Sequence, residues 1–284
     1  MVETVKIAGM QIDSKILCKE QNLKRCLGLI QTAASNGAHL VVFPEAILSG
    51  YAYNSLEEAF PVMETVPGPC TEMIVEYCRK FNVYTIIGLL EKDKNKYYNT
   101  AAFVGPGGFI GKYRKLHLPY AHIDRFLNHG DLPLKVYDTD IGKIGLGICY
   151  DTAFPEHART LTLLGAEVII IITAWPISVD AVPEHEVPTR ARENSVYFLA
   201  VDRVGEERGD KFLGRSKCVD YLGKTIFEGK PYQEEILYAE IKPALASQKI
   251  RGFPGNPEID ILRDRRPEFY KVLTQPLSDS SRIR

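Results

Sequence analysis

Three residues of different chemistry each end a strand-like run in this sequence. Glu45 closes LVVFPEA, Lys115 closes FIGKYRKLHLP and Cys149 closes KIGLGICYD. Together a carboxylate, an ammonium and a thiol suit covalent attack on a carbonyl. The carboxylate takes the thiol proton, the cation holds an oxyanion, and sulfur forms the bond. Loops at strand ends are also where layered α/β proteins usually carry their chemistry.

Each residue has a plainer reading. Cys149 is one of six cysteines, at 18, 26, 70, 78, 149 and 218, and a free cysteine commonly packs as a small buried hydrophobe. Its setting, GLGICYDTAFPE, singles it out, because Pro155-Glu156 reads as a helix start. A helix N-terminus and a nearby cation would both lower a thiol's pKa. Cys26, Cys70 and Cys78 fall on helical patterns, and Cys18 and Cys218 precede no such turn. Glu45 reads equally as a helix N-terminal carboxylate or, among the apolar VVFP, as a base with a raised pKa. Lys115 belongs to the basic cluster GKYRK, which solvent alone would explain. Strand alternation nevertheless puts Tyr113 and Lys115 on one face, with Lys112 and Arg114 on the other. A His-dependent cysteine hydrolase is the competing layout, with His117 and His157 as its nearby candidates.

The elements that would position these residues follow from periodicity. TVKIAGMQI at 4–12 reads as a strand, and apolar residues at three- and four-residue steps predict a helix over 17–36, stopped by Asn36-Gly37. HLVVF is a buried strand. A helix over 70–81 leads to VYTIIGLLE, which forms a hairpin with YYNTAAFVG before the Gly-Pro-Gly-Gly turn at 105–108 and FIGKYRK. KIGLGIC, the helix PEHARTLTLLGA and the doubly buried strand EVIIIIT come next. A helix over 184–195 precedes YFLAVDRV and short strands through GRSKCVD, KTIFEG and EILYAEI. Mixed helices and strands throughout argue for one α/β domain with layered sheets. The final SDSSRIR reads as a loose polar tail.

Composition narrows the function. The chain has 284 residues, 45% of them hydrophobic, with 35 basic against 36 acidic side chains. That balance gives no reason to expect nucleic acid or an anionic membrane as partner. No run approaches the about 18 apolar residues of a membrane span, and MVETVKIAGM lacks the regions of a signal peptide. A cytoplasmic location is therefore expected. Without a C-x-x-C pair the cysteines read as reduced thiols. The six histidines are scattered, and His185-Glu186 is not followed by the second His of H-E-x-x-H, so no metal is expected.

FPEAILSGY, GKYRKLHLP and GLGICYDTAFPE, in that order and spacing, resemble the three signature segments of the nitrilase superfamily of carbon–nitrogen hydrolases. The resemblance continues through TAWP, RARENSVYFLAVDRVG, FLGRSKCVDYLG and DRRPEFY to about residue 270. It implies an α/β fold of the α-β-β-α four-layer sandwich kind, one domain over 1–270 and a tail over 271–284. It also implies a homodimer or larger homo-oligomer and no cofactor. The family's catalytic glutamate, lysine and nucleophile fall on Glu45, Lys115 and Cys149. On that mechanism Lys115 and the backbone N–H of Tyr150 would hold the oxyanion, and Glu45 would serve the leaving amine and then the attacking water.

One segment departs from the family pattern. Many members carry a second glutamate between the lysine and the cysteine, but LPYAHIDRFLNHGD has none. Asp124 either fills that role with a one-residue shift or is a surface Asp paired with Arg125. Tyr51, Tyr120, Tyr150 and Trp175 sit near the motifs and would wall a substrate pocket, or serve as core. A small linear amide or N-carbamoyl compound is the expected substrate, because true nitrilases tend to be longer and amide-cleaving branches are more numerous. Conversion of a nitrile to an acid is the alternative. A catalytically silent binding protein on the same fold is the reading from another class.

Overall fold

The computed structural model describes residues 3–253 and 256–276. Alternating apolar residues make strand β1 (Val5–Gln11) two-sided, with Val5 and Ile7 on one face and Ala8 and Met10 on the other. Helix α1 (Lys19–Ser35) follows and ends at Asn36, after which Gly37 takes φ 79°. Next come β2 (Leu40–Val42), the single turn α2 (Leu56–Ala59) and α3 (Pro69–Phe81). α3 opens on Pro69, whose missing N–H costs nothing there, and stops where Asn82 turns left-handed at φ 51°. β3 (Tyr84–Asp93), β4 (Lys96–Gly105) and β5 (Gly108–Arg114) form a meander.

β6 (Val136–Thr139), β7 (Gly142–Ile148), α4 (Pro155–Leu163), β8 (Val168–Thr173), α5 (Val187–Asn194) and β9 (Tyr197–Asp202) build the second half. β10 (Glu206–Glu207) and β11 (Asp210–Lys211) form a two-residue ribbon. β12 (Lys217–Val219), β13 (Thr225–Glu228) and β14 (Glu235–Ile241) complete the sheets. β6 and the ribbon are elements that the sequence patterning does not signal.

Two six-stranded sheets result, ordered β14-β1-β2-β3-β4-β5 and β13-β12-β9-β8-β7-β6. β1, β2 and β3 run parallel, as do β7, β8 and β9, while the outer pairings are antiparallel. The facing sides meet in one core that includes Ile7, Val42, Ile86 and Phe103 of the first sheet and Ile144, Leu146 and Ile148 of the second. α1 and α3 cover the outer face of the first sheet, and α4 and α5 that of the second. The fold is thus the four-layer α-β-β-α sandwich. Among the described residues no helix is long and apolar enough to cross a membrane.

Both sheets belong to a compact unit spanning Met1–Ser247, and a second unit spans Gln248–Arg284. The second unit contains the hairpin of β15 (Ile250–Phe253) and β16 (Asn256–Asp260), then short turns at Pro267–Phe269 and Lys271–Thr274. The SDSSRIR tail lies outside the described residues.

One glycine controls how the sheet meets the segment that carries Glu45. A Cβ on Gly88 of β3 would lie 2.5 Å from the backbone nitrogen of Ala46 and from the carbonyl oxygen of Pro44. Only a bare backbone lets the Pro44–Ala46 turn pack on the strand. Gly88→Ala is expected to cost about 1–3 kcal/mol, read as a lower denaturant midpoint, and to lower turnover because the Glu45 turn must shift. A variant with wild-type midpoint and turnover would show that the turn has room to spare.

Candidate active site

Glu45, Lys115 and Cys149 leave three different strands and converge at one end of the sandwich. After β2 the chain stays tied to both sheets: Phe43 N–H donates to the Ile86 carbonyl at 2.8 Å, and Glu45 N–H to the Thr173 carbonyl at 3.3 Å. Lys115 extends the inward face that Tyr113 occupies in β5, and its N–H donates to the Asn99 carbonyl at 2.9 Å. The Lys115 Nζ lies 2.6 Å from Glu45 Oε1 and 2.6 Å from Asp124 Oδ2, and all three side chains are buried. Asn99 Nδ2 donates to Glu45 Oε1 at 2.7 Å and to Asp124 Oδ1 at 3.1 Å, while Tyr51 OH donates to Asp124 Oδ2 at 2.8 Å.

The structure therefore puts Asp124 inside the cluster rather than on the surface. Arg125, its proposed surface partner, instead donates to the His122 carbonyl. Burial pushes the Glu45 carboxyl above its ordinary value, against the Lys115 ammonium, with Asp124 adding to the rise. Burial alone would lower Lys115, but the Asp124 and Glu45 carboxylates outweigh it and hold the ammonium well above its usual pKa. Glu45 Oε2 is buried and makes no hydrogen bond of ordinary geometry, while the Cys149 thiol is close enough to act on this carboxyl.

Cys149 follows the last residue of β7 with φ 47° and opens a single 3-10 turn, Cys149–Ala153. A side chain other than glycine held there is strained by about 1 kcal/mol or more. Asp151 pins the bend. Its Oδ2 accepts from Ile148 N–H at 2.8 Å and from Tyr113 OH at 2.7 Å, and its Oδ1 accepts from His117 N–H at 3.2 Å. Arg190 of α5 donates to the Thr152 carbonyl at 3.0 Å and ties the turn to the outer layer.

The sequence-based expectation of a thiol acidified by a helix N-terminus is not met. α4 begins only at Pro155, and burial followed by the Glu45 charge pushes the Cys149 thiol well above its ordinary value. Lys115 and the Ala174 N–H oppose that rise without cancelling it. That direction favours the thiol over the thiolate. The two histidines of the competing layout are engaged elsewhere. His117 Nδ1 lies 2.6 Å from Asp151 Oδ1 with its ring stacked on Phe154, and His157 packs edge-on to Tyr113.

Cys149 opens into a cavity of about 340 Å³ whose wall includes Tyr51, Tyr150, Trp175 and Phe212. Tyr120 is not part of that wall. It is 92% exposed because the turn closed by Ala121 N–H and the Pro119 carbonyl carries it outward, leaving Pro119, Ala121 and His122 as the lining residues.

Several supporting residues escaped the sequence reading. Asn99 shares the inward parity of Ala101 and Phe103, so a polar residue on an otherwise apolar face was the available signal. Asp202, at the end of β9, accepts from Trp175 N–H at 2.7 Å, Thr173 Oγ1 at 2.7 Å and Gly214 N–H at 2.9 Å, and burial pushes it up to about 8. It holds the 173–175 turn that faces the thiol. Glu207, paired with the buried Arg203 at 2.6 Å, accepts from the N–H groups of Tyr51 and Ala52 and so fixes Tyr51. Among the described residues no group of three or more His, Cys, Asp or Glu is placed to hold a metal ion.

Two facing sheets with a carboxyl, an ammonium and a thiol gathered at their strand ends mark an α/β hydrolytic enzyme. Residues 6–251 match the model of the carbon-nitrogen hydrolase family, and the chain belongs to that family. It is 41% identical to a nitrilase of Pyrococcus abyssi over 94% of this chain and 99% of that one. It is 31% identical to an (R)-stereoselective amidase of a Pseudomonas species, over 93% of this chain and 91% of the relative. A solved carbon-nitrogen hydrolase of Helicobacter pylori superposes with a TM-score of 0.83 at 27% identity, covering 96% of this chain and 99% of its own. The protein is a carbon–nitrogen hydrolase, not a silent binding protein on the same fold.

Lys115→Met leaves two carboxyls buried without their cation and is expected to destabilise the protein by about 3–5 kcal/mol. In that variant the Glu45 carboxyl, already raised by burial, binds its proton more tightly folded than unfolded. Its stability is therefore greatest at acid pH and falls as pH rises toward the raised folded value of Glu45. Denaturant unfolding at about pH 5 and about pH 8 checks the sign; a larger deficit at the lower pH would contradict the pairing described.

Proposed function

We propose that this protein hydrolyses the C–N bond of a small linear amide or N-carbamoyl compound through a thioester on Cys149. One observation carries the reading: Glu45 has one oxygen committed to Lys115 and Asn99 and the other buried without a hydrogen-bond partner, on a carboxyl that the Cys149 side chain acts on. In the first step Glu45 takes the thiol proton as sulfur attacks the carbonyl carbon. An ammonium has three donors; Lys115 spends two on Glu45 and Asp124, which leaves one for the developing oxyanion, with the Tyr150 N–H as its companion. Glu45 then protonates the departing nitrogen, and the C–N bond breaks. Water, deprotonated by the same carboxylate, cleaves the thioester and returns the thiol.

Asp124 acts here through Lys115 and Asn99 as a positioning residue, in place of the family's second glutamate. Tyr51 and Trp175 wall the substrate. A second reading, nitrile to carboxylic acid through a thioimidate, is favoured by the similarity to the Pyrococcus nitrilase. A cytoplasmic location is also proposed, supported by six free cysteines. A homodimer or larger homo-oligomer, supported by the family membership, is measurable by sedimentation velocity.

Incubation with amides, N-carbamoyl amines, N-carbamoyl amino acids and nitriles is expected to release ammonia from at least one amide or carbamoyl compound. Cys149→Ala should abolish that release to at least about a thousandfold below wild type. Activity surviving the substitution would sink the covalent mechanism, and turnover confined to nitriles would transfer the assignment to the second reading. The pH profile is a separate check. Because Glu45 is raised above 4.5, its base form accumulates only above that value. The acid limb of kcat/KM should therefore have its midpoint above pH 4.5; a midpoint at or below it would exclude Glu45 as the base.

A further inference from the structure

We infer that the substrate carries a protonated amine on a short apolar chain that runs away from the carbonyl attacked by Cys149. This rests on the hydrolytic reading above and deepens it by assigning the far end of the substrate.

The cavity at Cys149 is walled mainly by apolar and aromatic side chains, and its charged groups are lopsided. Glu186 and Asp210 line it, whereas none of its described lining residues is Lys or Arg. Lys115 lies behind the cavity, committed to Glu45 and Asp124. His122, the one imidazole in the wall, stands 3.8 Å from Asp210 at the exposed rim.

Glu186 differs from the glutamates around it. Glu184 reaches Arg215 at 2.6 Å and Glu193 reaches Arg190 at 3.0 Å. Glu186 Oε2 is buried and accepts no hydrogen bond. A buried carboxylate oxygen without a donor costs free energy that a surface position would avoid.

The local backbone explains how it comes to be there. Pro188 has no N–H to donate one helical turn back, so Val187 N–H reaches five residues back to the Val182 carbonyl instead. This wide turn, Val182–Glu186, precedes α5 and delivers both Val182 and Glu186 to the cavity wall. Single wide turns of this kind are common at functional sites.

The chemistry that completes such a wall is a donor bearing positive charge. An ammonium would be drawn to Glu186 in the wall, and the Asp210 carboxylate at the mouth adds attraction that a neutral donor would not feel. The ring faces of Tyr51, Trp175 and Phe212 along the way can meet a cation or an alkyl chain. A terminal carboxylate would meet two like charges and no Lys or Arg among the described lining residues. The favoured substrates are therefore linear amides or ureas ending in an amine, and those ending in a carboxylate are rejected.

The test is a matched set of primary amides and N-carbamoyl compounds over several chain lengths, ending in an ammonium, a methyl or a carboxylate. Ammonia release gives kcat/KM for each. The amine-ended member should exceed its methyl-ended partner by about tenfold to a hundredfold, chiefly through KM, as one charge-assisted hydrogen bond supplies. It should exceed the carboxylate-ended one by more. In Glu186→Gln the amine-to-methyl ratio should fall about tenfold or further, and in Glu186→Lys the preference should move toward the carboxylate. A wild-type enzyme that prefers methyl or carboxylate ends overturns the inference, as does an unchanged ratio in Glu186→Gln. Should the variants fail to fold, the wild-type order decides alone. Hydrolysis of the neutral members without preference for the amine leaves the proposed function standing and removes only this inference. No hydrolysis of any amide or carbamoyl compound removes both.

Discussion

The site depends on a single buried ammonium. Lys115 sits out of water between two carboxylates that are themselves buried, at 2.6 Å from each. None of the three would be tolerable there alone, because an unpaired ion in such surroundings costs several kcal/mol (about 3–5 when one partner is removed). The arrangement is thus mutual: the cation makes the carboxylates possible, and the carboxylates hold the cation. Asn99 and Tyr51 occupy further lone pairs, so the orientation of each carboxyl is set by hydrogen bonds as well as charge. One Glu45 oxygen is thereby spoken for and the other left without a hydrogen-bond partner.

Such a cluster needs parts from distant places in the chain, which is what the paired sheets provide. Glu45 comes after β2, Lys115 after β5 and Cys149 after β7, and Asp202 at the end of β9 secures the neighbouring turn. The parallel strands at the centre of each sheet end at the same side, so their carboxyl ends open on one crevice. Contact between the sheets then sets the spacing. Glu45 N–H bonds to the Thr173 carbonyl across the sheets, and Gly88 lets the Glu45 turn approach without a Cβ in the way.

Legibility in the sequence followed the range of the interaction. Helices and strands that depend on their own periodicity, such as α1, α3 and the β3–β4 hairpin, stand close to their patterned bounds. That Glu45, Lys115 and Cys149 would lie together was legible because each ends an apolar run within a recognisable motif. Tyr120 was misread because motif proximity says nothing of direction: a turn within the same loop points it to solvent. The thiol's raised pKa was misread for a related reason. A helix start was visible in sequence, but the burial and the Glu45 carboxyl that outweigh it come from packing of separate strands. Asn99, Asp202, Glu207 and Glu186 matter through partners, or the lack of one, far along the chain, and no local pattern encodes that.

The raised thiol is consistent with the chemistry rather than an obstacle to it. In a dry pocket, creating a new charge is the costly event, whereas moving one over a short distance is cheap. Transfer of the Cys149 proton to Glu45 creates no net charge. The negative charge leaves a carboxylate beside Lys115 and appears on a sulfur that the same ammonium and the Ala174 N–H already favour. Burial raises both partners, so their difference changes less than either value alone. A thiol acidified in the resting state would be a standing nucleophile toward any electrophile entering the cavity. On the proposed mechanism, a thiol that ionises only with Glu45 as acceptor would couple reactivity to a carbonyl held against Lys115, with the strained φ of Cys149 fixing where its side chain leaves the backbone.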